Sequence, residues 1–341
     1  MLKLLAFLTF AFTLTSQVYS QTCHSSSNDS YYLVIGDYTS TNHAEEITPQ
    51  PPLNTRIWFL NQENTWVHSN QSLPDLEGTR ASPWYFFANT LASKTKGNLW
   101  IAVLAYDDAR VDDWTDIGNP NSYWERINKS LSAFPKDTTV NVLWMVGEND
   151  ADDLSAKLPR HYQEKSYSAS LLKLIDWSPE CYSWGVALTS YSPFNDVDSQ
   201  NYIRQEEATL VNNFGNRSRV WGGPDTDQIC HSYRYKNIYY NTEGSNLLSL
   251  DWISSLEERK TSLNPTVNYC DYYLISIDLF FWNVVRFVVI GFFIFLIAAG
   301  FFACCQVFRG RTTTQEAFLP KYVYESSDKP PETKPLISSK F

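Results

Sequence analysis

An uncharged run of twenty-two residues, Phe287 to Phe308, constrains this chain more than any other feature. A helix of about 20 mainly apolar residues crosses the roughly 30 Å hydrocarbon layer of a bilayer. Arg309 and Arg311 follow the run, whereas Asp278 precedes it. Because basic residues favour the cytosolic side, we expect residues 274–308 to form a juxtamembrane segment and one transmembrane helix of a single-pass type I membrane protein.

Arg286 immediately precedes this run and permits two interpretations. If the span begins at Phe287, the long side chain snorkels to the lumenal headgroups. If the span begins further upstream, Arg286 lies within the membrane and marks a contact with a partner.

The N-terminus has the pattern of a secretory signal. Lys3 precedes an apolar run from Leu4 to Leu14, and a polar stretch then ends at the small residue Ser20. Such a series is typical of a cleaved signal peptide. We therefore expect residues 1–20 to be a signal peptide and residues 21–273 to be a lumenal or extracellular domain.

The C-terminal residues 309–341 are rich in Pro, Ser and charge, and have too little apolar surface to fold alone. We expect a disordered cytosolic tail. Within it, Glu332, Leu336 and Ile337 form E-x-x-x-L-I, the pattern of an acidic dileucine signal read by endocytic adaptors. This pattern predicts residence at the cell surface or in endosomes and lysosomes. Cys304 and Cys305 lie at the cytosolic end of the expected span. They are candidate palmitoylation sites, and the other interpretation is that they are packing cysteines.

The composition of residues 21–273 excludes some partners. They contain 32 Asp and Glu against 19 Lys and Arg, a formal net charge of −13, which argues against nucleic acid. Four cysteines in an oxidising compartment allow two disulfides in three connectivities. No CxxC or His/Cys spacing indicates zinc, and we expect no cofactor. The cysteines are Cys23, Cys181, Cys230 and Cys270, and four glycosylation sequons occur at Asn28, Asn70, Asn128 and Asn216.

Buried strands and helices alternate along this region. Short apolar runs without alternation are typical of strands covered on both faces. Alternation with helices predicts one α/β domain, a three-layer αβα arrangement around a parallel sheet. We expect strands at Tyr31–Ile35, Arg56–Leu60, Leu99–Tyr106, Val140–Val146, Tyr182–Thr189 and Arg219–Trp221, helices at Pro83–Ala92, Asn121–Phe134, Arg160–Trp177, Gln200–Phe214 and Thr242–Leu256, and a polar loop at Asn61–Asp75.

The first strand ends at Gly36, and polar residues follow it directly. Open parallel sheets bind ligands at the carboxyl ends of their strands. Asp37, Tyr38 and Thr39 follow the first strand and should therefore face residues that follow the others. The acidic loop with Asp107, Asp108 and Trp114 and the segment with Glu148 and Asp150 are expected at the same edge.

Four blocks in this order give the chain a resemblance to a known family. They are Val34-Ile35-Gly36-Asp37-Tyr38-Thr39, Asp107 to Trp114, Trp144-Met145-Val146-Gly147-Glu148-Asn149-Asp150, and Lys236 to Gly244. Residues 31–256 thus resemble the sialate O-acetylesterase and related carbohydrate esterases of the SGNH hydrolase superfamily. The resemblance implies a flavodoxin-like parallel sheet and a Ser-His-Asp esterase site.

The departures from the family pattern fall on the catalytic positions. Tyr38 stands where the family has its nucleophilic Ser, Lys236 where it has the Asp, and Tyr239 where it has the His. A phenol with a pKa of about 10 is a poor nucleophile without an adjacent base. We therefore expect a catalytically degenerate member of the family.

Two relocated sites stay open as alternatives. Thr39 or Ser40 is a candidate nucleophile, with Asp227 and His231 as the orienting acid and the base. A second alternative pairs Glu148 with Asp150 as acid and base. The same two residues can also be interpreted as buried carboxylates with a structural role.

The sequence leads to three functional hypotheses. The first is a non-catalytic ectodomain that binds a glycan or a partner protein, because aromatic rings stack on sugars and fill interface hot spots. The second is an active O-acyl esterase with a relocated triad. The third is a structural subunit that contacts another membrane protein through Leu274 to Trp282 and Arg286. The candidate ligand cleft comprises Asp37, Tyr38, Thr39, Asp107, Asp108, Trp114, Glu148, Tyr239 and Tyr240.

Overall fold

The computed structural model describes residues 23, 28–49, 52–120, 122–155, 166–192, 197–215, 219–265 and 269–314. The chain forms two compact units, Met1–Leu274 and Ile275–Phe341. The predicted signal peptide, the sequon at Asn216 and the sorting motif at Glu332, Leu336 and Ile337 lie outside the described residues. They stay predictions.

A mainly parallel sheet organises the first unit. Within the described residues it has seven strands in the order β3-β2-β4-β1-β5-β6-β7, and only the β2–β3 pair is antiparallel. The strands β4-β1-β5-β6-β7 alone have the flavodoxin-like order 2-1-3-4-5, which confirms the expected fold class. The bounds are β1 Ser30–Gly36, β2 Ile57–Leu60, β3 Trp66–Val67, β4 Leu99–Ala105, β5 Val140–Met145, β6 Tyr182–Leu188 and β7 Val220–Asp225.

Helices cover both faces of this sheet. Strand β1 shows why, because Leu33 and Ile35 face one apolar cluster while Tyr32 and Val34 face the other. The second cluster includes residues of α1 and α7, and the first includes residues of α2, α3, α5 and α6. The three-layer prediction is therefore confirmed. The helices are α1 Pro83–Lys94, α2 Val111–Thr115, α3 Trp124–Leu131, α4 Glu148–Ser155, α5 Tyr167–Trp177, α6 Val197–Phe214 and α7 Thr242–Glu258.

Some element boundaries differ from the sequence prediction. The segment Asn61–Asp75, expected as a loop, contains β3, which pairs with β2 at the sheet edge. The helix expected at Asn121–Phe134 is the shorter α3, because the N–H groups of Ser122 and Tyr123 bond to carbonyl oxygens of the preceding turns. A small antiparallel hairpin, β8 Arg234–Tyr235 and β9 Tyr239–Tyr240, lies between β7 and α7 and was not predicted.

One disulfide closes a long loop of the first unit. Cys23 is bonded to Cys181, which precedes β6, with a sequence separation of 158. Cys230 is also disulfide-bonded. The expectation of an oxidised domain is therefore met at three of its four cysteines.

The second unit contains most of a single long helix, α8, Tyr269–Thr314. Its segment Trp282–Phe302 has a mean hydropathy of 2.6 and is long and apolar enough to cross a membrane. This segment begins five residues earlier than the predicted span and includes Arg286. Among the described residues it is the one helix with these properties.

Candidate functional site

Polar residues from three strands meet at one edge of the sheet, as the sequence predicts. A short 3-10 turn, Tyr38–Ser40, follows β1, Asp107 follows β4, and Glu148 begins the helix after β5. Gly36 permits this turn, because a Cβ atom at that position would lie 2.1 Å from the Ser40 Oγ. The turn therefore folds back against the end of its own strand.

Tyr38, at the family's nucleophile position, is a packed residue. Its side chain lies in an almost closed environment with 9% exposure, and its hydroxyl donates to the Tyr191 carbonyl oxygen at 3.4 Å. The Tyr239 ring contacts it edge to face at a centroid distance of 6.3 Å. Burial, and then the charges of Glu148 and Asp37, raise the pKa of Tyr38 well above its ordinary value. The phenol is therefore neutral at physiological pH and is not an activated nucleophile.

Beneath Tyr38 lies a buried pair of carboxyl groups, Asp37 and Glu148. Asp37 Oδ2 accepts from the backbone N–H groups of Gly147 and Glu148, each at 3.1 Å. The Thr39 hydroxyl donates to Glu148 Oε2 at 2.8 Å. Burial raises the pKa of both side chains, and the neighbouring Asp37 charge moves the pKa of Glu148 well above its ordinary value. These shifts favour the protonated form of Glu148 beside the Asp37 carboxylate.

Arg234 closes the other side of this buried group. Its guanidinium lies over the Tyr240 ring at 4.0 Å and over the Tyr191 ring at 5.3 Å. It donates to the carbonyl oxygens of Ile229, Ile238 and Thr226 and lies 4.0 Å from Glu148 Oε1. Rings, carboxyls and a guanidinium thus fill the space beside the turn.

A histidine–carboxylate pair lies at the rim. His43 Nε2 donates to Asp107 at 3.0 Å from Oδ2, and the His43 ring stacks on Tyr239 with a centroid distance of 4.6 Å. The Thr41 hydroxyl lies 3.1 Å from Asp107 Oδ1 and 2.7 Å from the Tyr38 carbonyl oxygen. The His43 and Asp107 side chains are 24% and 44% exposed, so solvent reaches both. The carboxylate, not the imidazole, is the group that contacts the hydroxyl.

At the positions where the resemblance expects an acid and a base, the late block has Lys236 and Tyr239. Lys236 is exposed in a left-handed turn with φ 54°, and its ammonium lies 5.3 Å from the Tyr235 ring centroid. Tyr239 is half-buried between Tyr38 and His43. Tyr239 therefore joins the hairpin to the turn after β1 through its ring contacts with Tyr38 and His43.

Most of the predicted cleft residues are buried. Trp114 is fully buried in the apolar cluster with Tyr106 and Tyr123, because helix α2 turns it inward, so the expectation of a cleft-lining Trp is incorrect. Only Asp107, Asp108 and Tyr239 reach the surface. The buried members are Asp37, Tyr38, Thr39, Trp114, Glu148 and Tyr240.

The proposed relocated groups serve structural roles as well. Asp227 accepts from the N–H groups of Ser190 and Tyr191 and pairs with Arg204 at 2.8 Å. Ser40 is fully buried, and His231 is half-exposed in a 3-10 turn. Asp150, paired with Glu148 in the second alternative, accepts from the Val111 N–H, and its pKa is raised well above the ordinary value, chiefly by burial.

Two residues of this region were missed by sequence reasoning. His43 was one of five histidines without a motif, and its contact with Asp107 spans 64 positions. Arg234 lies just before the Lys236 to Gly244 block, and no sequence pattern gives it a role. The guanidinium lies over Tyr240 and Tyr191, which are not its immediate neighbours in sequence, so no local pattern marks this residue.

Comparisons with known proteins agree with this geometry. The family model for the sialic acid-specific acetylesterase carbohydrate esterases matches residues 35–176. No curated protein matches the chain. A solved protein of Arabidopsis thaliana superposes with a TM-score of 0.51 at 15% identity, over 68% of this chain and 99% of its own.

Two enzyme structures are also similar to this chain. A carbohydrate acetylesterase from Xanthomonas citri has a TM-score of 0.43 and 12% identity, over 67% of this chain and 56% of its own. A variant acetyl xylan esterase from Geobacillus stearothermophilus has a TM-score of 0.43 and 12% identity, over 70% and 100%.

The strand order places the first unit in the flavodoxin-like class of α/β folds, and the Arabidopsis thaliana protein shares this fold. Within that class, residues 35–176 carry the sequence pattern of the sialic acid-specific acetylesterase family, which confirms the resemblance. The loss of its catalytic residues stays a prediction.

Proposed function

We propose that the first unit is a non-catalytic, esterase-fold ectodomain that binds a partner protein while α8 holds it in the membrane. The observation that carries this proposal is the environment of Tyr38. At the position of the family's nucleophile stands a neutral, 9% exposed phenol packed against Tyr239.

The chemistry of the three substituted positions supports inactivity. Acyl transfer by this family needs a hydroxyl, an imidazole that takes its proton and a carboxylate that orients the imidazole. Tyr38, Tyr239 and Lys236 supply two phenols and an amine. Loss of such a unit forfeits several kcal/mol of transition-state stabilisation.

The packing at the strand ends favours a protein over a glycan. A small-molecule site is concave and buries most of its ligand, whereas Tyr38, Tyr240 and Arg234 fill the position of the family's pocket. What reaches the surface is a rim with Asp107, Asp108 and Tyr239. Aromatic and charged side chains on a shallow rim are typical of protein interfaces.

The membrane topology belongs to the same proposal. A single span in Trp282–Phe302, followed by Arg309 and Arg311, supports a type I orientation. The disulfide Cys23–Cys181 supports an oxidising compartment for the first unit. The E-x-x-x-L-I motif supports traffic between the cell surface and endosomes or lysosomes.

The decisive experiment measures catalysis directly. The detergent-solubilised full chain is incubated with an aryl acetate and, separately, with a fluorophosphonate probe. We expect neither turnover above buffer nor a covalent adduct. Turnover that disappears in Ser40→Ala or His231→Ala would overturn the proposal.

A second experiment tests binding at the rim. A photo-crosslinking amino acid replaces Asp108 in the full chain in cells, and the matched control carries it at Glu63, another exposed position. We expect one discrete crosslinked protein band from position 108 and none from position 63. Identical band patterns from both positions would show that the rim is not the interface.

A second candidate function, hydrolysis at a relocated site, is favoured by the His43–Asp107 pair. An imidazole held by a carboxylate and open to solvent is the base half of a hydrolase site. In that case any acetyl ester turnover disappears in His43→Ala and persists in His231→Ala. Complete absence of turnover in the wild type excludes it.

A further inference from the structure

A polar cleft lies beside the edge strand β7. After helix α7, Arg259 adopts a left-handed conformation with φ 45°, and the chain turns back toward the sheet. The Lys260 carbonyl oxygen then accepts a hydrogen bond from the Gly222 N–H at 2.7 Å. The backbone of Leu263 exchanges two hydrogen bonds with an asparagine of α6, at 2.8 and 3.0 Å. These contacts fix residues 260–264 as one part of the cleft, and α7 and the end of β7 supply others.

The cleft has the size of a small-molecule site. It encloses about 370 Å³, and ligand pockets typically have about 300–1,000 Å³. Helix α7 contributes Asp251, Ser254 and Ser255 to its lining, and strand β7 contributes Asp225. The cleft therefore offers carboxylate and hydroxyl oxygens to a ligand.

The carboxylate of Asp225 already has partners within the chain. Its two oxygens accept from the Arg204 guanidinium, each at 2.7 Å, and Gln228 Nε2 donates to Oδ2 at 3.1 Å. Arg204 also pairs with Asp227 at 2.8 Å. Because one guanidinium is shared by two carboxylates, it does not neutralise both of them.

Two other oxygen-bearing groups of the cleft lack such partners. Among the described residues, none donates a hydrogen bond to the Asp251 carboxylate or forms an ion pair with it. Ser255 is only 6% exposed, yet its hydroxyl has no hydrogen-bond partner within the described part of the chain. Residues four positions apart lie on the same face of a helix. A donor in the cleft can therefore contact both oxygens.

The charges around the cleft favour a cationic ligand. Desolvation and then the Asp225 charge raise the pKa of Asp251, despite the opposing charge of Lys260. The Lys260 ammonium itself lies 3.2 Å from Glu258, a residue that does not line the cleft. A positive charge bound beside Asp251 would offset the repulsion between the two aspartates.

We propose that this cleft binds a small aliphatic primary amine in its protonated form. The ammonium donates to the Asp251 carboxylate and to the Ser255 hydroxyl, and it lies in the field of Asp225. An ammonium has three donors and no acceptor, which suits oxygens that receive no hydrogen bond from the chain. Amine binding at this cleft goes beyond the proposed function, and it does not depend on whether the ectodomain is catalytic.

Calorimetric titration of the detergent-solubilised full chain tests this inference. The probes are three primary amines, namely putrescine, glucosamine and the side chain of Nα-acetyl-lysine amide, and they distinguish a free diamine, an amino sugar and a lysine as the source. The matched control is 1,4-butanediol, which has the length of putrescine without its charge. We expect saturable binding of at least one amine at millimolar concentration and no binding of the diol. Absence of binding by all three amines, or equal binding of the diol, would overturn the proposal.

Variants of α7 test the two contacts. Asp251→Asn should weaken amine binding by about tenfold or more, because a hydrogen bond to a charged group is lost. Glu257→Gln removes the same charge from the same helix outside the cleft and should leave the affinity unchanged. Equal affinities of these two variants would contradict a role for Asp251.

Ser255→Ala separates a binding role from a structural one. The variant should bind the amine several-fold more weakly and should unfold at no lower urea concentration than the wild type, because its hydroxyl has no partner in the chain to lose. A variant that unfolds at lower urea and binds the amine normally would assign the hydroxyl to the fold and overturn its place in the site.

Discussion

At the residue scale, Tyr38 is a packed residue at the position where the resemblance places a nucleophile. Its ring contacts Tyr239, its hydroxyl donates to the Tyr191 carbonyl, and buried carboxyls keep it neutral. A serine there would leave the volume of an aromatic ring empty. The packing of this ring therefore contributes to the stability of the domain.

Substitution of Tyr38 separates these two roles. Removing a buried aromatic side chain costs about 3–5 kcal/mol, so Tyr38→Ser should lower the unfolding free energy by that amount and restore no esterase activity. Tyr38→Phe keeps the ring and loses the hydrogen bonds of the hydroxyl with Tyr191 and Ser192, so it should cost about 0.5–1.5 kcal/mol for each bond lost. Urea unfolding of the two variants checks the difference. Esterase activity in Tyr38→Ser would mean that a base is already present.

The protonated Glu148 makes stability depend on pH. Its pKa is raised in the folded state, chiefly by burial and then by Asp37, so folding favours its protonated form. This contribution is complete below the unfolded pKa, near 4.5, and is lost as pH rises toward the folded pKa. Through this group, the folded chain should therefore be more stable at acidic than at neutral pH.

Glu148→Gln tests this linkage. The amide keeps the shape, supplies an N–H toward Asp37 and does not titrate. We expect the variant to gain stability over the wild type progressively above pH 4.5, with a slope of up to about 1.4 kcal/mol per pH unit. Glu63→Gln, at an exposed glutamate, is the matched control and should leave the profile unchanged. Parallel profiles for wild type and Glu148→Gln would contradict a protonated Glu148.

At the element scale, Arg234 holds the β8–β9 hairpin against the strand ends. Its guanidinium donates hydrogen bonds to three backbone carbonyls and contacts the rings of Tyr191 and Tyr240. A lysine at this position keeps the positive charge, but its ammonium lacks the planar shape and the several fixed N–H donors of a guanidinium. Arg234→Lys should therefore cost about 2–4 kcal/mol, because buried carbonyls lose their donors.

Hydrogen exchange localises this cost. Amides of residues 226–241 should lose protection in Arg234→Lys before the central strands β1 and β5 do. Lys236→Arg, a change of equal size at an exposed site on the same hairpin, should leave protection unchanged. Uniform loss across the sheet would show that Arg234 supports the whole domain instead of the hairpin.

The elements that the sequence predicts well are those set by local signals. The run Leu99–Tyr106 predicts β4 to within one residue. Ser82 before Pro83 predicts the start of α1, and the Ser82 hydroxyl accepts a hydrogen bond from the Trp84 N–H. The β8–β9 hairpin, in contrast, has two-residue strands and is held by Arg234. No periodic pattern marks such an element.

The site is less predictable, because its contacts are distant in sequence. The strand-end positions of Asp37, Asp107 and Glu148 follow from the parallel topology. That Trp114 points into the core, or that His43 meets Asp107, depends on the orientation of short helices and turns. Residue type alone assigned Trp114 to a cleft in which it does not lie.

At the scale of the whole molecule, the proposed span in Trp282–Phe302 would place the two ends of the chain in different compartments. A glycan requires an exposed asparagine, and the side chains of Asn28, Asn70 and Asn128 are all exposed. The basic residues Arg309 and Arg311 follow the span. If the N-terminal part is lumenal, these three asparagines are accessible to glycosylation and the tail is not.

This topology predicts the number of glycans and the protease-protected length of the chain in microsomes. The full chain should lose at least three glycans on endoglycosidase treatment, and Asn28→Gln, Asn70→Gln and Asn128→Gln should each remove one. Added protease should shorten the intact-vesicle product by about the 33-residue tail and leave the glycans attached. A glycan-free chain whose first unit is digested would require the opposite orientation, because a single helix cannot place both termini on one side.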